Sequence, residues 1–350
     1  MTLKDVAARV GVSHTTVANA FKRPDQLSAT LRERILKAAQ ELGYGGPDPA
    51  ARQLATGHAG AIGLILSEDL PYAFTDPAAL AVLRGAAMAC NERDVNLTLI
   101  AAKGDAQGGA HLPSLGNAVV DGFVLYSVAD DSHYVALARQ RDVPLVVIDQ
   151  PKLPDIDFVG IDDRAAAYDA ARALLAMGHR TFGILSLRSR NDRRSGFMGA
   201  RRRATISYRI VAERLTGYLE ALADAGIHSE TVPVWESATN TEPGGREGMA
   251  ALLEIPPPDR PTALLAMSDR LACGALEVAH ARKIPVPEAL SLVGFDDLPV
   301  AEKVGLTSVR QPHEEKGRQA VELLWGVEKA SEKILPTELI SRNSTLKRAS

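Results

Sequence analysis

Several hydrogen-bonding side chains are grouped at the start of one short helical pattern near the N-terminus. They are Ser13, His14, Thr15, Thr16 and Asn19. An asparagine can bond bidentately to adenine, and a threonine can contact a thymine methyl group or donate to a base edge. Serine and threonine hydroxyls can hold phosphates and so set the register on a duplex. This group predicts contact with DNA. The alternative is a helical bundle for protein contact, on which the same groups are solvated.

Three helical patterns with capping signals would position this group. Thr2, Ser13 and Ser28 are candidate N-caps of the three helices, the second of which runs from His14 to about residue 21. Only Gly11-Val12-Ser13 separates the first two helices, which is the short glycine-containing turn of a helix-turn-helix. In that motif the second helix enters the major groove of DNA.

Charge is distributed unevenly along the chain. Residues 1–57 carry eight basic and five acidic side chains and so have a net charge of +3, whereas the whole chain has a net charge of −3. The remainder of the chain is therefore acidic. This asymmetry indicates that only the N-terminal segment meets a polyanion.

From residue 61 onward, apolar runs alternate with helical patterns. This alternation predicts parallel sheets with helices on both faces, and the length favours two sheets. The predicted strands cover residues 61–66, 95–101, 122–126, 145–148, 158–161, 182–186, 263–267 and 291–295. The predicted helices between them include residues 77–92, 164–177, 211–225 and 269–282.

Four polar residues, Asp69, Asp149, Ser268 and Asp296, follow predicted strands directly or closely. Because ligands of parallel sheets bind outside the carboxyl ends of the strands, these residues are candidate ligand contacts. Carboxylates can accept pairs of hydroxyl hydrogen bonds, which suits a sugar. The alternative is that each residue only caps the helix that follows it.

The chain also carries an ordered series of longer motifs. In the first 45 residues these are Thr2-Leu3-Lys4-Asp5-Val6-Ala7, Gly11-Val12-Ser13, Thr16-Val17, Arg32-Glu33-Arg34-Ile35 and Leu42-Gly43-Tyr44. Further on they are Gly178-His179-Arg180, Ser268-Asp269, Val293-Gly294-Phe295-Asp296-Asp297, Leu335-Pro336-Thr337-Glu338-Leu339 and Arg342-Asn343-Ser344-Thr345. Together they resemble the lactose-repressor (LacI/GalR) family over nearly the whole chain, and the ordered set is more specific than any one motif.

The resemblance implies an all-α helix-turn-helix headpiece and an α/β two-lobed core with parallel sheets, like a periplasmic sugar-binding protein. We expect the headpiece at residues 1–45, a hinge helix or linker at 46–58, and an effector-binding and dimerisation core at 59–346. Within the core, lobe 1 is expected at about 59–158 and 291–320, and lobe 2 at about 159–290 and 321–346.

Residues 48–54 match the hinge helix of the family. Seven residues are fewer than the roughly 12–15 that an isolated helix needs in water, so this helix is expected to form only with a partner. By resemblance, Leu54 wedges between base pairs from the minor groove and Ala51 packs beside it. On the residues alone, an ordinary linker is the preferred interpretation. The full predicted DNA-contacting set is Thr2, Ser13, His14, Thr15, Thr16, Asn19, Gln26, Ser28, Ala51 and Leu54.

The resemblance also implies a set of effector contacts in the cleft between the lobes. Asp149, Ser268 and Asp296 match contacting positions, and Arg214 matches an arginine that could hold a hydroxyl pair or a carboxylate. Tyr72 and Phe74 could supply an aromatic wall that the family often places slightly later. The predicted effector-binding set is Asp69, Tyr72, Phe74, Asp149, Arg214, Ser268 and Asp296.

One basic segment leaves two alternatives open. Residues 188–209 hold eight arginines and the single acid Asp192. The segment is either a solvated loop or part of a site for an anionic effector such as a phosphosugar.

These features predict a sequence-specific DNA-binding transcriptional regulator that acts as a repressor. It would bind a near-palindromic operator in double-stranded DNA as a homodimer or higher oligomer, under control of a small carbohydrate effector. A cytoplasmic location is expected, with no membrane association, since no stretch approaches the ~20 apolar residues of a membrane span. Cys90 and Cys273 are expected to be buried free thiols.

No cofactor, metal or catalytic residue is expected. Phosphate-loop and nucleophile-elbow motifs are missing from the sequence, and the eight histidines lack metal-ligand spacing. The alternative function is a cytoplasmic sugar-binding or sugar-processing protein with an unrelated helical head.

Overall fold

The computed structural model describes residues 1–46, 57–68, 70–101, 113–326 and 331–348. The chain divides into two compact units, Met1–Ala59 and Gly60–Ser350. We call the described part of the first unit the headpiece and the second unit the core. Three of the predicted site residues, Ala51, Leu54 and Asp69, lie outside the described residues.

The headpiece contains the three predicted helices, α1 (Leu3–Val10), α2 (His14–Lys22) and α3 (Ala29–Glu41), with a 3₁₀ turn at Pro24–Gln26. Local capping defines these helices. The Thr2 backbone N–H donates to the Asp5 carboxylate at 2.7 Å, and Ser13 and Ser28 accept hydrogen bonds at the starts of α2 and α3. Gly11 ends α1 with a φ of 76°, a left-handed conformation that glycine adopts without strain.

A small apolar centre joins the three headpiece helices. Val6, Val17, Ala20 and Ile35 are fully buried in it. These residues lie on the inner faces of α1, α2 and α3, so the polar outer face of α2 is left to solvent.

The core contains two sheets. The six described strands of the first sheet are β1 (Ala61–Leu66), β2 (Asn96–Ala101), β3 (Gly122–Tyr126), β4 (Leu145–Ile148), β5 (Asp157–Ile161) and β12 (Glu332–Leu335). Their order in the sheet is β12-β5-β4-β3-β1-β2, and all are paired in parallel. The four inner strands, β1, β3, β4 and β5, are mostly buried, which is typical of parallel sheets with helices on both faces, whereas the edge strands β2 and β12 are more exposed.

The seven described strands of the second sheet are β6 (Phe182–Ser186), β7 (Gly196–Phe197), β8 (Val234–Glu236), β9 (Ala263–Ala266), β10 (Ser291–Asp296), β11 (Thr307–Arg310) and β13 (Glu338–Ile340). Their order in the sheet is β13-β11-β10-β9-β6-β8-β7. The pairs β11–β13 and β7–β8 are antiparallel and the others are parallel.

Helices cover both sheets. Those on the first sheet are α4 (Leu70–Ala73), α5 (Pro77–Glu92), α6 (Pro113–Gly116), α7 (His133–Arg139) and α14 (His313–Leu323). Those on the second are α8 (Asp163–Ala176), α9 (Ala200–Arg203), α10 (Arg209–Asp224), α11 (Glu242–Leu253), α12 (Asp269–Ala281) and α13 (Pro299–Lys303), with a 3₁₀ turn at Ser229–Thr231. Each sheet with its helices forms one lobe.

The lobe boundaries need correction. The expectation that residues 291–320 belong to lobe 1 is wrong for β10 and β11, because Ser291 of β10 pairs with Ala263 of β9 in the second sheet. Helix α14 does belong to lobe 1, where it packs against α5. Strand β12 was expected in lobe 2 but pairs with β5. The chain therefore crosses between the lobes at 162, 311–312 and 336–337.

Helices α5 and α14 meet backbone to backbone at two glycines. A Cβ atom added to Gly85 would lie 1.8 Å from the Glu314 carbonyl oxygen, and one added to Gly317 would lie 2.0 Å from the Val82 carbonyl oxygen. Neither backbone oxygen can rotate away as a side chain would. This contact fixes the position of α14 within lobe 1.

Candidate functional site

The outer face of α2 carries the predicted DNA-reading residues. His14 and Thr15 are exposed at its N-terminal end, and Asn19 is half-buried one turn later. The Asn19 side-chain amide donates to Gln26 Oε1 at 3.4 Å, so Gln26 orients the Asn19 amide. The structure thus brings Asn19 and Gln26 together on the face of α2 that is opposite to the buried Val17.

Of the remaining headpiece candidates, Thr2, Ser13 and Ser28 are helix N-caps and Thr16 bonds to one of them. Ser13 Oγ accepts from the Thr16 backbone N–H at 3.1 Å and lies 2.9 Å from Thr16 Oγ1. Ser28 Oγ accepts from the Leu31 backbone N–H, and Thr2 bonds to Asp5. Each serine cap satisfies one backbone N–H group at a helix start. The other N–H groups of a first turn have no partner within the helix and are the donors that can bind a phosphate.

The core has a cavity of about 340 Å³ between the two lobes, at the carboxyl ends of their strands. Of the predicted effector contacts, Tyr72, Asp149, Arg214, Ser268 and Asp296 line it. Phe74 is not among the residues that line the cavity, and its side chain is 57% exposed just after the short helix α4. Its contact with the effector stays a prediction.

Arg214 enters the cavity from α10 and is almost fully buried. Its Nε donates to Asp163 Oδ1 at 2.8 Å, its Nη1 donates to the Met267 carbonyl at 2.6 Å, and its guanidinium carbon lies 3.6 Å from the centre of the Phe295 ring. Burial acts to lower the Arg214 pKa, but the carboxylates of Asp163 and Asp296 raise it above its usual value. The guanidinium is therefore a fixed cation in the cavity wall.

Asp149 and Asp296 end strands of different lobes and are connected by two residues that the sequence analysis missed. Lys316 Nζ donates to Asp149 Oδ1 at 2.6 Å and to Gln311 Oε1 at 2.5 Å. Gln311 Nε2 then donates to Asp296 Oδ1 at 2.5 Å. One signal was present in the sequence, since Lys316 occupies the same helix face as the apolar Ala320.

Tyr72, Asp76 and Ser268 also line the cavity. Asp76 caps α5, and burial, followed by the Asp296 charge, raises the Asp76 pKa. Tyr72 Oη donates to the Asn240 carbonyl at 3.2 Å, so Tyr72 in lobe 1 contacts lobe 2. Ser268 Oγ accepts from the Leu271 backbone N–H and donates to Asn240 Oδ1 at 2.5 Å, which makes Ser268 a cap as well as a wall residue.

Three of the eight arginines in the arginine-rich segment, Arg188, Arg194 and Arg202, form ion pairs. Arg188 pairs with Glu68 of lobe 1, and Arg202 donates to the fully buried Glu236 at 2.8 Å. The interpretation as a solvated loop is wrong for these residues, because their acidic partners come from distant parts of the chain. Arg193 differs, since it is exposed and lines the cavity.

Asp269 starts α12 and is fully buried beneath the strand ends. Its carboxylate accepts from the Leu298 backbone N–H at 2.7 Å and from Ser308 Oγ at 2.5 Å. Burial, and then the charge of Asp296, raise the pKa of Asp269 to about 8. The native state therefore binds this proton more tightly than the unfolded chain does, and the resulting stability is lost as the pH rises through about 8.

We therefore expect Asp269→Asn, which cannot ionise, to gain stability relative to the wild type as the pH is raised. Urea denaturation of both proteins at a series of pH values, from the ordinary aspartate pKa of 3.8 to above the raised value of about 8, would measure the difference in unfolding free energy. Parallel pH profiles for the two proteins would contradict the expectation.

Two further expectations concern the whole chain. Cys90 and Cys273 are buried free thiols, as predicted. Among the described residues, no helix has both the length and the apolar character that a membrane crossing requires.

The chain is similar to known proteins in both units. The model of bacterial regulatory proteins of the lacI family matches residues 2–46, and the model of the periplasmic binding protein-like domain matches residues 171–345. The HTH-type transcriptional regulator Rv3575c of Mycobacterium tuberculosis is 44% identical to this chain, over 92% of this chain and 90% of its own length.

Two solved structures extend this similarity. A LacI family transcriptional regulator from Corynebacterium glutamicum is 36% identical, with a TM-score of 0.72, and the match covers 99% of this chain and 98% of that one. The complex of the transcriptional regulator CelR with cellobiose is 29% identical, with a TM-score of 0.69, and the match covers 98% of this chain and 99% of that one. The chain belongs to the LacI family of bacterial transcriptional regulators, with a DNA-binding headpiece and an effector-binding core.

Proposed function

We propose that this regulator is a homodimeric repressor that binds a near-palindromic operator in double-stranded DNA, and that a small neutral sugar in the core cavity changes its operator affinity. The observation that carries the proposal is a helix with an outward polar face, α2, joined in one chain to a core whose cavity is lined by hydrogen-bond-accepting aspartates. The hinge residues Ala51 and Leu54 remain predicted minor-groove contacts.

The geometry of α2 supports DNA reading by a few side chains. His14 and Thr15 are exposed at its start, where the residues of a recognition helix meet base edges. Asn19, oriented by Gln26, presents an amide that suits adenine. One headpiece of this size makes few base contacts, so two copies on a two-fold symmetric operator supply the affinity and the half-site spacing.

Replacing Asn19 with alanine should weaken binding to the preferred operator by about 1–3 kcal/mol and relax the base preference at one position of each half-site. Selection of bound sequences from a random DNA pool, followed by affinity measurements on single-base variants, would test this. Gln40→Ala, at an exposed position of α3, is the matched control and should leave the preference unchanged. A uniform loss across all sequences would show that Asn19 contacts phosphate.

Charge pairing in the cavity favours a neutral effector over an anionic one. Arg214 is paired with Asp163, and Lys316, which lies outside the wall, is paired with Asp149. Among the described wall residues, Arg193 is an exposed cation that forms no ion pair. Asp76 and Asp296, by contrast, have no lysine or arginine within ion-pair distance among the residues that the structure describes. A phosphate placed beside them would be repelled, whereas sugar hydroxyls would donate to them.

The relatives and the size of the cavity agree with a sugar. The solved CelR complex holds cellobiose, and the cavity volume of about 340 Å³ lies in the usual range of small-molecule pockets, roughly 300–1,000 Å³. Occupancy need change operator affinity by only about 1–3 kcal/mol, or 5–150-fold, to act as a switch.

Calorimetry with D-ribose, D-glucose, cellobiose and glucose 6-phosphate, paired with operator binding in the same buffers, tests the proposal. We expect one neutral sugar to bind and to shift operator affinity, and the phosphate ester to bind more weakly than glucose. Tighter binding of the phosphate would replace the neutral effector with an anionic one. Failure to retain any duplex at low salt would refute the DNA-binding part.

A further inference from the structure

We propose that Lys316 is a positioning residue, which holds Asp149 directly and Asp296 through Gln311, and so sets the spacing of the two carboxylates that receive the effector. The inference rests on the proposed function, because it takes these two aspartates as effector contacts. Lys316 itself does not line the cavity and is fully buried, so its influence on the effector would pass through its partners.

The contacts form one continuous chain between the lobes. It runs from Asp149 at the end of β4 to Lys316 in the first turn of α14, on to Gln311 and then to Asp296 at the end of β10, with three hydrogen bonds of 2.5–2.6 Å. Gln311 lies in the segment where the chain crosses from lobe 2 to lobe 1. A change in the angle between the lobes must therefore act on this chain of contacts.

The burial of Lys316 explains why its geometry is specific. A fully buried ammonium group is stable only when paired with a charge and hydrogen-bonded, and both conditions are met by Asp149 and Gln311. Because its charge must be paired and hydrogen-bonded, Lys316 holds the side chains of Asp149 and Gln311 at a fixed separation.

The backbone at both aspartates also needs external support. Asp149 has a φ of 66° and Asp296 a φ of 116°, in a region that residues other than glycine rarely occupy. Such conformations persist where surrounding contacts determine them, and they are common at ligand sites. Lobe 2 also contacts this junction at Asp149 and Gln150: Arg209 Nη1 donates to the Asp149 carbonyl at 3.2 Å and the Ile210 backbone N–H donates to Gln150 Oε1 at 2.9 Å.

The first test replaces Lys316 with methionine, which keeps the length of the side chain and removes its charge and donors. The probe is the tightest binder among D-ribose, D-glucose and cellobiose, measured by calorimetry well below the melting temperature of every variant. We expect the Kd to rise roughly tenfold or more, which corresponds to losing a charge-assisted hydrogen bond. Arg318→Met, on the same helix but in a partly exposed ion pair with Glu92, should leave the Kd unchanged. A lower melting temperature for Lys316→Met with an unchanged Kd would overturn the proposal.

A double-mutant cycle tests whether Lys316 acts through Asp149. In the Asp149→Asn background, adding Lys316→Met should raise the Kd by a smaller factor than it does in the wild type, because only the route through Gln311 to Asp296 remains. The double variant also has no unpaired buried charge at this pair, so its folding is protected. Independent, multiplicative losses in the Kd would contradict the proposed route.

Hydrogen exchange on the effector-free protein gives a readout that needs no sugar. In Lys316→Met, the amides of residues 149–150 and 296–297 should exchange faster, while those of β2, at the far edge of the first sheet, should keep their wild-type rates. If no sugar binds the wild type but the exchange changes in this way, the proposed effector fails and the positioning role stands. Unchanged exchange at both aspartates would refute the positioning role.

Discussion

Replacing Arg214 with methionine is expected to lower the free energy of unfolding of the core by about 3–5 kcal/mol, the usual cost of leaving one partner of a buried ion pair alone. Arg214 and Asp163 are both almost fully buried and are joined by a 2.8 Å hydrogen bond. The other oxygen of Asp163 has no hydrogen-bond partner among the described residues. Urea denaturation followed by circular dichroism would measure the loss, which should grow as the pH is raised and Asp163 ionises.

The control for this experiment is Asp163→Asn combined with Arg214→Met. The double variant removes both charges and should regain most of the lost stability, because burial already raises the pKa of Asp163 and makes its charged form unfavourable. Both variants should lose the response to the sugar, since the guanidinium is part of the cavity wall. A loss of less than about 1 kcal/mol in the single variant would mean that solvent reaches the Asp163 carboxylate.

Replacing Ile35 with alanine is expected to abolish operator binding near physiological temperature. Ile35 is fully buried where the three headpiece helices meet, and truncating a buried isoleucine costs about 2–5 kcal/mol. A unit as small as the headpiece has little stability in reserve, so this cost is enough to unfold it. Loss of duplex binding in a filter or fluorescence assay would be the measurement.

The matched control for Ile35→Ala is Leu174→Ala, an equally buried substitution in α8 of the core. Because the headpiece and the core are separate compact units, Ile35→Ala should leave sugar binding and the thermal transition of the core unchanged. Leu174→Ala should lower that transition. A fall in core stability on substitution of Ile35 would contradict the independence of the two units.

The headpiece helices and most strands of the core could be predicted from the sequence because local rules determine them. Caps such as Ser13 and Ser28 set helix starts within the chain itself. A short apolar run such as β1 favours a buried strand, because it is too short for a typical buried helix. The short edge strands β7 and β12 carry no such run. They form because a neighbouring strand is available, and this is visible only in the tertiary structure.

The candidate site was predictable to the extent that it follows from strand ends. Asp149, Ser268 and Asp296 were found because parallel strands end at the same edge of a sheet. Lys316 was missed because its role depends on a partner 167 positions away, and the arginine-rich segment was misjudged because Glu236 and Glu68 are distant in sequence. Contacts of this kind are decided by packing, which sequence spacing does not report.

The backbone contact between α5 and α14 has a consequence for any attempt to retarget this regulator to a new inducer. Gly317 follows Lys316 directly. The position of the Lys316 ammonium therefore depends on the close backbone contact between α5 and α14. A randomised library could vary the wall residues Tyr72 and Asn240 at the cost of the hydrogen bond between them, with the helix packing of lobe 1 left in place. Any side chain at Gly85 or Gly317 would instead push α5 and α14 apart and displace Lys316, so most such variants should fail to bind any inducer.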